Sequence, residues 1–570
     1  MTRMGRRAVA KPVAPSVSRV AALELAASPW LQPRCLAVAS TLAALGVSLL
    51  FLRFSYMIDY DFYVWIQGAK ALQREGLGAL GQVYKEPLLS FLLNLTAPIF
   101  GGDYEQAGKA ISVCFGSLAI GLLFLLAYEL FGSRLLAACS ALLVALHPQI
   151  IYYNTHPFSE ALYLSLIMLA FLLFWRAPRG GGVARAAAAG LALGLAFLTR
   201  IPDIASALAL FAFSLAVLTV NRFRPASAVL RFSALALGFL LVAGPFWLSI
   251  RYHKGEWRLS NKVGPNLLIR EVYSAHDPGQ KVEDYERLLY GSDNTSRPKE
   301  SGLLTSLVRR PLPVLAAYRH QLFLGLVLAH WVFPLVLVTL GLIAVAISAR
   351  AQPEARMRGV VYLSLLAPLF AYPLGHVERR YMVPLIPVFV LLALEGARWA
   401  AAPLTRVIRL RSGGAAAQRL GLGLAAGAAA LIILAWSGEE LLAATRRTPW
   451  NEPIELKQAG LWLKAHAPPD AVIMARKPMT AFYADRPWVA LPYTDYGGLL
   501  RSLREQRVSH LVMDEIFAGR LRPQLRFLLY EPERIKRLTE LVPVHVVNER
   551  RGRAVIIYQV NRDRLPAPSS

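Results

Sequence analysis

Five stretches of this chain set acids, bases and aromatic rings at the edges of long apolar runs. The first, MIDYDFYVWIQG, carries Asp59 and Asp61 beside Tyr60, Tyr63 and Trp65. A carboxylate at a membrane surface can take a proton from a hydroxyl nucleophile. The plainer reading is two solvated helix-end acids next to an interfacial aromatic belt. The second, Lys85-Glu86-Pro87, opens a short apolar stretch. A lysine there can hold a lipid phosphate as a compact positive charge, or simply snorkel toward water. In the third, YYNTHPFSEALYLSL, His156 and Glu160 stand where an apolar run begins. A glutamate one turn into such a run is costly unless paired or hydrated. It can orient a base, bind a cation or cap a helix N-terminus. Arg200 and Asp203 flank a short turn in LTRIPDIASAL. An ion pair closing that turn is the first expectation, with phosphate contact the second. The fifth stretch, YPLGHVERRYMVPLIPVF, gathers His376, Glu378, Arg379, Arg380 and Tyr381 in one tight turn. Paired guanidinium groups suit phosphate oxygens.

The elements that must position these residues are membrane helices. The chain has 570 residues, 55% of them apolar, and a mean hydropathy of +0.43. The apolar residues gather in Leu/Ala-rich runs of about twenty, the length that crosses the hydrocarbon core as helix. Spans are expected at about 35–54, 108–131, 135–151, 158–175, 185–200, 203–220, 229–250, 321–347, 359–374, 381–399 and 419–440. The apolar stretch 87–100 is too short to cross and is expected to lie along the outer surface. With that placement the Arg-rich loops at 132–134, 176–185, 221–231, 349–358 and 398–419 all fall on one side, which the positive-inside rule makes cytoplasmic. The formal charge of +26 is thereby absorbed by orientation, and nucleic acid is not expected as a partner. Cys35, Cys114 and Cys139 have neither disulfide nor metal spacing and read as buried small apolar residues.

The fold class expected is mainly α: a polytopic transmembrane helical bundle of about eleven spans with a small C-terminal α/β soluble domain. Residues 1–34 form a cytoplasmic tail and 35–440 the membrane domain, with outer loops at 53–107 and 251–320. Residues 441–570 form an extracytoplasmic domain. Turn signals fall at 277–279 and 291–294. Short β-rich runs at 471–474, 509–513, 542–547 and 554–560 alternate with helical patterns at 454–466 and 496–506. All five chemical clusters then share one depth, at the outer membrane face.

These residues carry a resemblance. The chain resembles the GT-C glycosyltransferases that use lipid-phosphate sugars, and most closely the protein O-mannosyltransferase and aminoarabinose-transferase group. The likeness rests on the acid after the first span and on Lys85-Glu86-Pro87-Leu88. It extends to Leu198-Thr199-Arg200, the 375–381 turn, and tail segments LKQAGLWLKAHAPPDAVIMA, AFYADRPWVALP and VSHLVMDE. The resemblance implies a bacterial inner-membrane enzyme transferring a sugar, with inversion, from a polyprenyl-monophosphate donor to a lipid, glycan or protein hydroxyl. By it, Asp61 is the general base with Asp59 its rival, and Glu160 is a second functional acid. Lys85, Arg379, Arg380 and Arg200 bind the donor phosphate. Glu86, His156, His376, Glu378 and Tyr381 complete the site. A divalent metal is left open. The competing functions are a flippase for lipid-linked glycans, which predicts ionisable residues at mid-bilayer, a non-catalytic assembly protein, and a ligase using a pyrophosphate lipid.

Overall fold

Leu, Ala and Phe fill the long apolar runs, and each run folds as helix. The computed structural model describes residues 32–179, 182–201, 203–221, 225–262, 286, 311–409, 414–448, 451–547 and 552–566. The N-terminal tail up to residue 31 and the turns expected at 277–279 and 291–294 lie outside the described residues. The bundle comprises α1 (Pro33–Leu52), α2 (Tyr60–Glu75), α3 (Leu88–Thr96), α4 (Tyr104–Phe131), α5 (Arg134–Ala145), α6 (Pro148–Thr155), α7 (Glu160–Arg176) and α8 (Gly182–Phe197). It continues with α9 (Asp203–Asn221), α10 (Pro225–Lys254), α11 (Pro311–Val332), α12 (Leu335–Ala351), α13 (Pro353–Ala371), α14 (Ile386–Arg409) and α15 (Gly414–Thr445). Among the described residues, seven helices are long and apolar enough to cross a membrane, or eight if α5 and α6 form one bent span. α4, α13 and α14 are mostly buried within the bundle, whereas α1, α11 and α15 expose most of their surface.

Two expected spans are corrected. The stretch 135–151 is a pair of helices bent by 63°. Pro148 starts the second of them, and His147 caps it by accepting from the Gln149 N–H at 3.3 Å. The stretch 321–347 divides at Phe333-Pro334 into α11 and α12, because proline cannot donate the backbone bond that a continuous helix needs. α11 does not follow the direction of its neighbours. The Tyr318 hydroxyl donates to the Phe370 carbonyl, the Gln321 side chain accepts from the Val377 N–H, and the Val332 carbonyl meets the His147 ring. All these partners sit at the end of the bundle where α13 stops and α14 begins, so α11 lies across that end. α3, extended by a 3-10 turn to Phe100, covers only about 20 Å at 1.5 Å per residue. It packs on α2 through Ser90, whose hydroxyl donates to the Trp65 carbonyl, and Asn94, which donates to Ala69.

Close helix crossings rely on small residues, as expected where lipid offers no hydrophobic drive. Gly190 of α8 and Gly238 of α10 face each other's backbones so tightly that a β-carbon at either would strike a carbonyl oxygen. The thiols are not buried: Cys35 and Cys114 are exposed and Cys139 is half-buried.

The C-terminal unit is α16 (Ile454–His466), β1 (Ile473–Ala475), α17 (Met479–Ala484), β2 (Trp488–Ala490), α18 (Tyr496–Glu505), β3 (His510–Asp514), β4 (Leu541–Val547) and β5 (Val555–Val560). Its strands form one mixed sheet in the order β2-β1-β3-β5-β4. β1 runs parallel to β2 and β3, while β5 is antiparallel to β3 and β4. The sequence reading anticipates four of these strands. β2 escapes it because three residues leave no alternation to read.

Candidate active site

Each cluster from the sequence is delivered by an element that ends at the same end of the bundle. Asp59 caps α2, its carboxylate accepting from the Asp61 N–H at 2.9 Å. Lys85 precedes α3, which the Leu88 N–H ties to the Leu198 carbonyl beside Arg200. Glu160 is the first residue of α7. Arg379 and Arg380 open a 3-10 turn, Arg379–Leu385, that leads into α14.

Together these ends wall a cavity lined by Asp61, Lys85, Glu86, Glu160, Arg200, Lys262, His376, Arg380 and Tyr381, among others. Lys85 is 5% exposed and bridges to the Asp61 carboxylate at 2.7 Å. Its ammonium also lies 3.8 Å from the Trp65 ring centre. Burial, and then Lys262 beside it, draw the Lys85 pKa well below that of a free lysine. The other Asp61 oxygen is held by Arg380, so both oxygens face cations. Arg200 pairs with Glu160 across the cavity. The side chain of Asp203, the partner expected for it in the turn, is outside the described ones. The second Glu160 oxygen is buried and has no hydrogen-bond partner among the described residues. Glu86 accepts from the Ser260 hydroxyl at 3.3 Å. The His376 ring contacts Glu378 at 2.9 Å and the Tyr381 hydroxyl at 3.3 Å. Four basic side chains and three carboxylates line this cavity, and Glu378 bridges to Arg380 at 2.7 Å from the cavity beside it.

A second, more open cavity adjoins the first through Arg380, lined by Asp59, Tyr152, Tyr153, Phe158, Glu378, Arg379 and Arg380. Asp59 opens onto it. Asp59 is exposed there, yet desolvation by the protein around it raises its pKa from that of a free aspartate, against the pull of Arg380, Lys85 and Lys477. Burial also opposes the Glu378 charge, but the His376 hydrogen bond outweighs it and lowers that pKa.

Four predicted residues stand outside the main cavity: Asp59, Glu378 and Arg379, which line the second, and His156. His156 turns to Glu452 at 2.9 Å, at the start of the C-terminal unit. Arg379 pairs with Glu440 of α15, because successive residues of the 3-10 turn point to different sides. Lys262 is the lining cation that sequence reasoning missed; it lies in a polar segment with several other basic residues and nothing in its neighbours marks it. Among the described residues no three His, Cys, Asp or Glu side chains are gathered as a metal site.

A helical membrane bundle whose loops meet at one end under a small mixed α/β unit has counterparts among known proteins. Residues 85–248 match the family described as dolichyl-phosphate-mannose-protein mannosyltransferase. No curated protein matches the chain in sequence. Among solved structures, ArnT from Cupriavidus metallidurans bound to undecaprenyl phosphate is 16% identical with a TM-score of 0.52, covering 93% of this chain and 99% of its own. Its apo form gives 16% and 0.51, with the same coverage. The apo oligosaccharyltransferase of Archaeoglobus fulgidus is 12% identical with a TM-score of 0.50, covering 86% of this chain and 70% of its own. The chain is thus a multi-pass membrane protein with the GT-C fold, similar over nearly its whole length to ArnT.

Proposed function

We propose that this protein transfers a sugar from a polyprenyl-monophosphate donor to a hydroxyl acceptor at the outer face of a bacterial inner membrane, with inversion at the anomeric carbon. The observation that carries the reading is the main cavity, where Lys85, Arg200, Lys262 and Arg380 converge from four separate stretches of the chain. A phosphodiester-linked sugar brings one negative charge, which these side chains attract. ArnT, the structural relative over nearly the whole chain, is described with undecaprenyl phosphate bound.

In the proposed reaction the acceptor hydroxyl enters from the second cavity. Its oxygen forms a bond to the anomeric carbon as the carbon–oxygen bond to phosphate breaks. The bonding pair leaves with the carrier phosphate, whose charge grows toward two. Lys85 and Arg380 stabilise that growth. The hydroxyl proton passes to a carboxylate. Asp59 is better suited to take it than Asp61. Asp61 has both oxygens occupied by cations, which lowers its basicity, whereas Asp59 keeps one oxygen open and has an elevated pKa. In this scheme Asp61 holds Lys85 and Arg380 ready for the phosphate, and the unpartnered Glu160 oxygen receives a sugar hydroxyl.

Purified protein incubated with a panel of polyprenyl-phosphate sugars should release carrier phosphate. Asp59→Asn should slow transfer by about 10²–10⁴-fold, the usual contribution of a positioned base, while the protein still inserts. Undiminished turnover in that variant would falsify the assignment of the base, and no release from any donor would remove the transfer reading itself.

A further inference from the structure

The loop that leads into Asp59 is held almost entirely by the C-terminal unit. Three consecutive backbone N–H groups point into that unit. Those of Tyr56 and Met57 donate to Glu452 Oε2 at 3.2 and 3.0 Å, and that of Ile58 donates to the Tyr483 hydroxyl oxygen at 2.8 Å. The Tyr56 carbonyl accepts from Lys457 Nζ at 2.7 Å. Tyr483 in turn donates to Glu105 of α4 at 2.9 Å. Glu105 also receives Lys109, which reaches back to the Ser55 carbonyl at 2.8 Å. Met57 and Ile58 are buried, so these backbone groups have no water to replace a lost partner. Two ring contacts continue the grip into α2: the Lys477 ammonium lies 4.3 Å from the Tyr60 ring centre, and Trp488 meets Tyr63 edge-on at 5.9 Å.

We propose that the C-terminal unit is a clamp on the active-site loop, with Tyr483 and Glu452 as positioning residues that set where the Asp59 carboxylate stands. Neither touches the substrate cavities. They act through the backbone of residues 56–58, directly before Asp59. A displacement of about 1 Å at a reacting group costs roughly 10²-fold in rate, so loosening this loop is expressed in turnover before it is expressed in donor binding. The kinetic half of this inference rests on the sugar-transfer reading; the mechanical half does not.

The test uses the full chain in lipid nanodiscs. Tyr483→Phe keeps the ring and removes the oxygen that receives the Ile58 N–H. Hydrogen–deuterium exchange in the peptide spanning residues 54–60 should accelerate at least tenfold. kcat should fall 10- to 100-fold with donor KM within twofold. Glu452→Ala should behave alike, while Glu452→Gln, which keeps an acceptor oxygen, should restore slow exchange and most of kcat. Wild-type exchange and an unchanged kcat in Tyr483→Phe overturn the clamp. Faster exchange in a protein whose wild type turns over no polyprenyl-phosphate sugar upholds the clamp and sinks the transfer reading instead.

Discussion

At the scale of single residues, environment separates side chains that sequence treats as equals. Arg379 and Arg380 are adjacent, yet one faces Glu440 and the other Asp61. Arg380→Ala should therefore lower kcat/KM by about 10²-fold or more, as loss of a charge-stabilising donor does. Arg379→Ala should cost less than about tenfold, since a half-exposed pair contributes little. Equal losses in the two variants, measured with one donor, would contradict the division. The acids divide in the same way. Asp59 must be ionised to act, and desolvation by the surrounding protein raises its pKa. Activity should thus fall on the acid side at a higher pH than an ordinary carboxylate gives. Lys477 draws that pKa downward. Lys477→Met should move the acid limb to still higher pH, and a pH–rate profile shifted the opposite way would contradict the assignment.

At the scale of elements, the outer segment 251–320 and the C-terminal domain read in sequence as separate pieces, but a buried ion cluster joins them. Glu286 receives Arg476 at 2.8 Å and Arg522 at 2.6 Å, with all three side chains at most 3% exposed. Glu286→Ala leaves two guanidinium groups without their shared anion in the interior. Removing one partner of a buried pair typically costs about 3–5 kcal/mol. Thermal unfolding in detergent should show the C-terminal unit melting well below the wild type, and an unchanged melting profile would mean that the arginines find other acceptors. No motif announces this cluster: Glu286 lies in a polar stretch with other acids, and its partners are arginines in a chain rich in them. The membrane helices were legible by contrast, because run length alone sets a span. Both span errors fell at prolines, where an unbroken apolar run hides a broken backbone.

At the scale of the whole molecule, what sequence could read was depth, and what it could not read was direction within a given depth. Asp61, Lys85, Glu160, Arg200 and Arg380 were all placed at one face from loop polarity, and they do line one cavity. Arg379 and His156 were placed at the same face but turn to Glu440 and Glu452, and only tertiary packing decides that. The opposite end of the bundle has its own charge chemistry. There Glu129 pairs with Arg176, and Glu395 with Arg358 and Arg398, within the Arg-rich loops that the positive-inside rule assigns to the cytoplasm. By that rule we propose that the two ends lie on opposite sides of the membrane, with the cavities and the C-terminal unit outside. The expected labelling follows directly. In a variant with Cys35, Cys114 and Cys139 replaced, a single cysteine at the exposed Glu533 of the C-terminal unit should react with an impermeant maleimide in intact cells. One at the exposed Gln352, between α12 and α13, should react only after the membrane is opened. The reverse pattern would put the cavities on the cytoplasmic side, where an outward-facing acceptor could not reach Asp59.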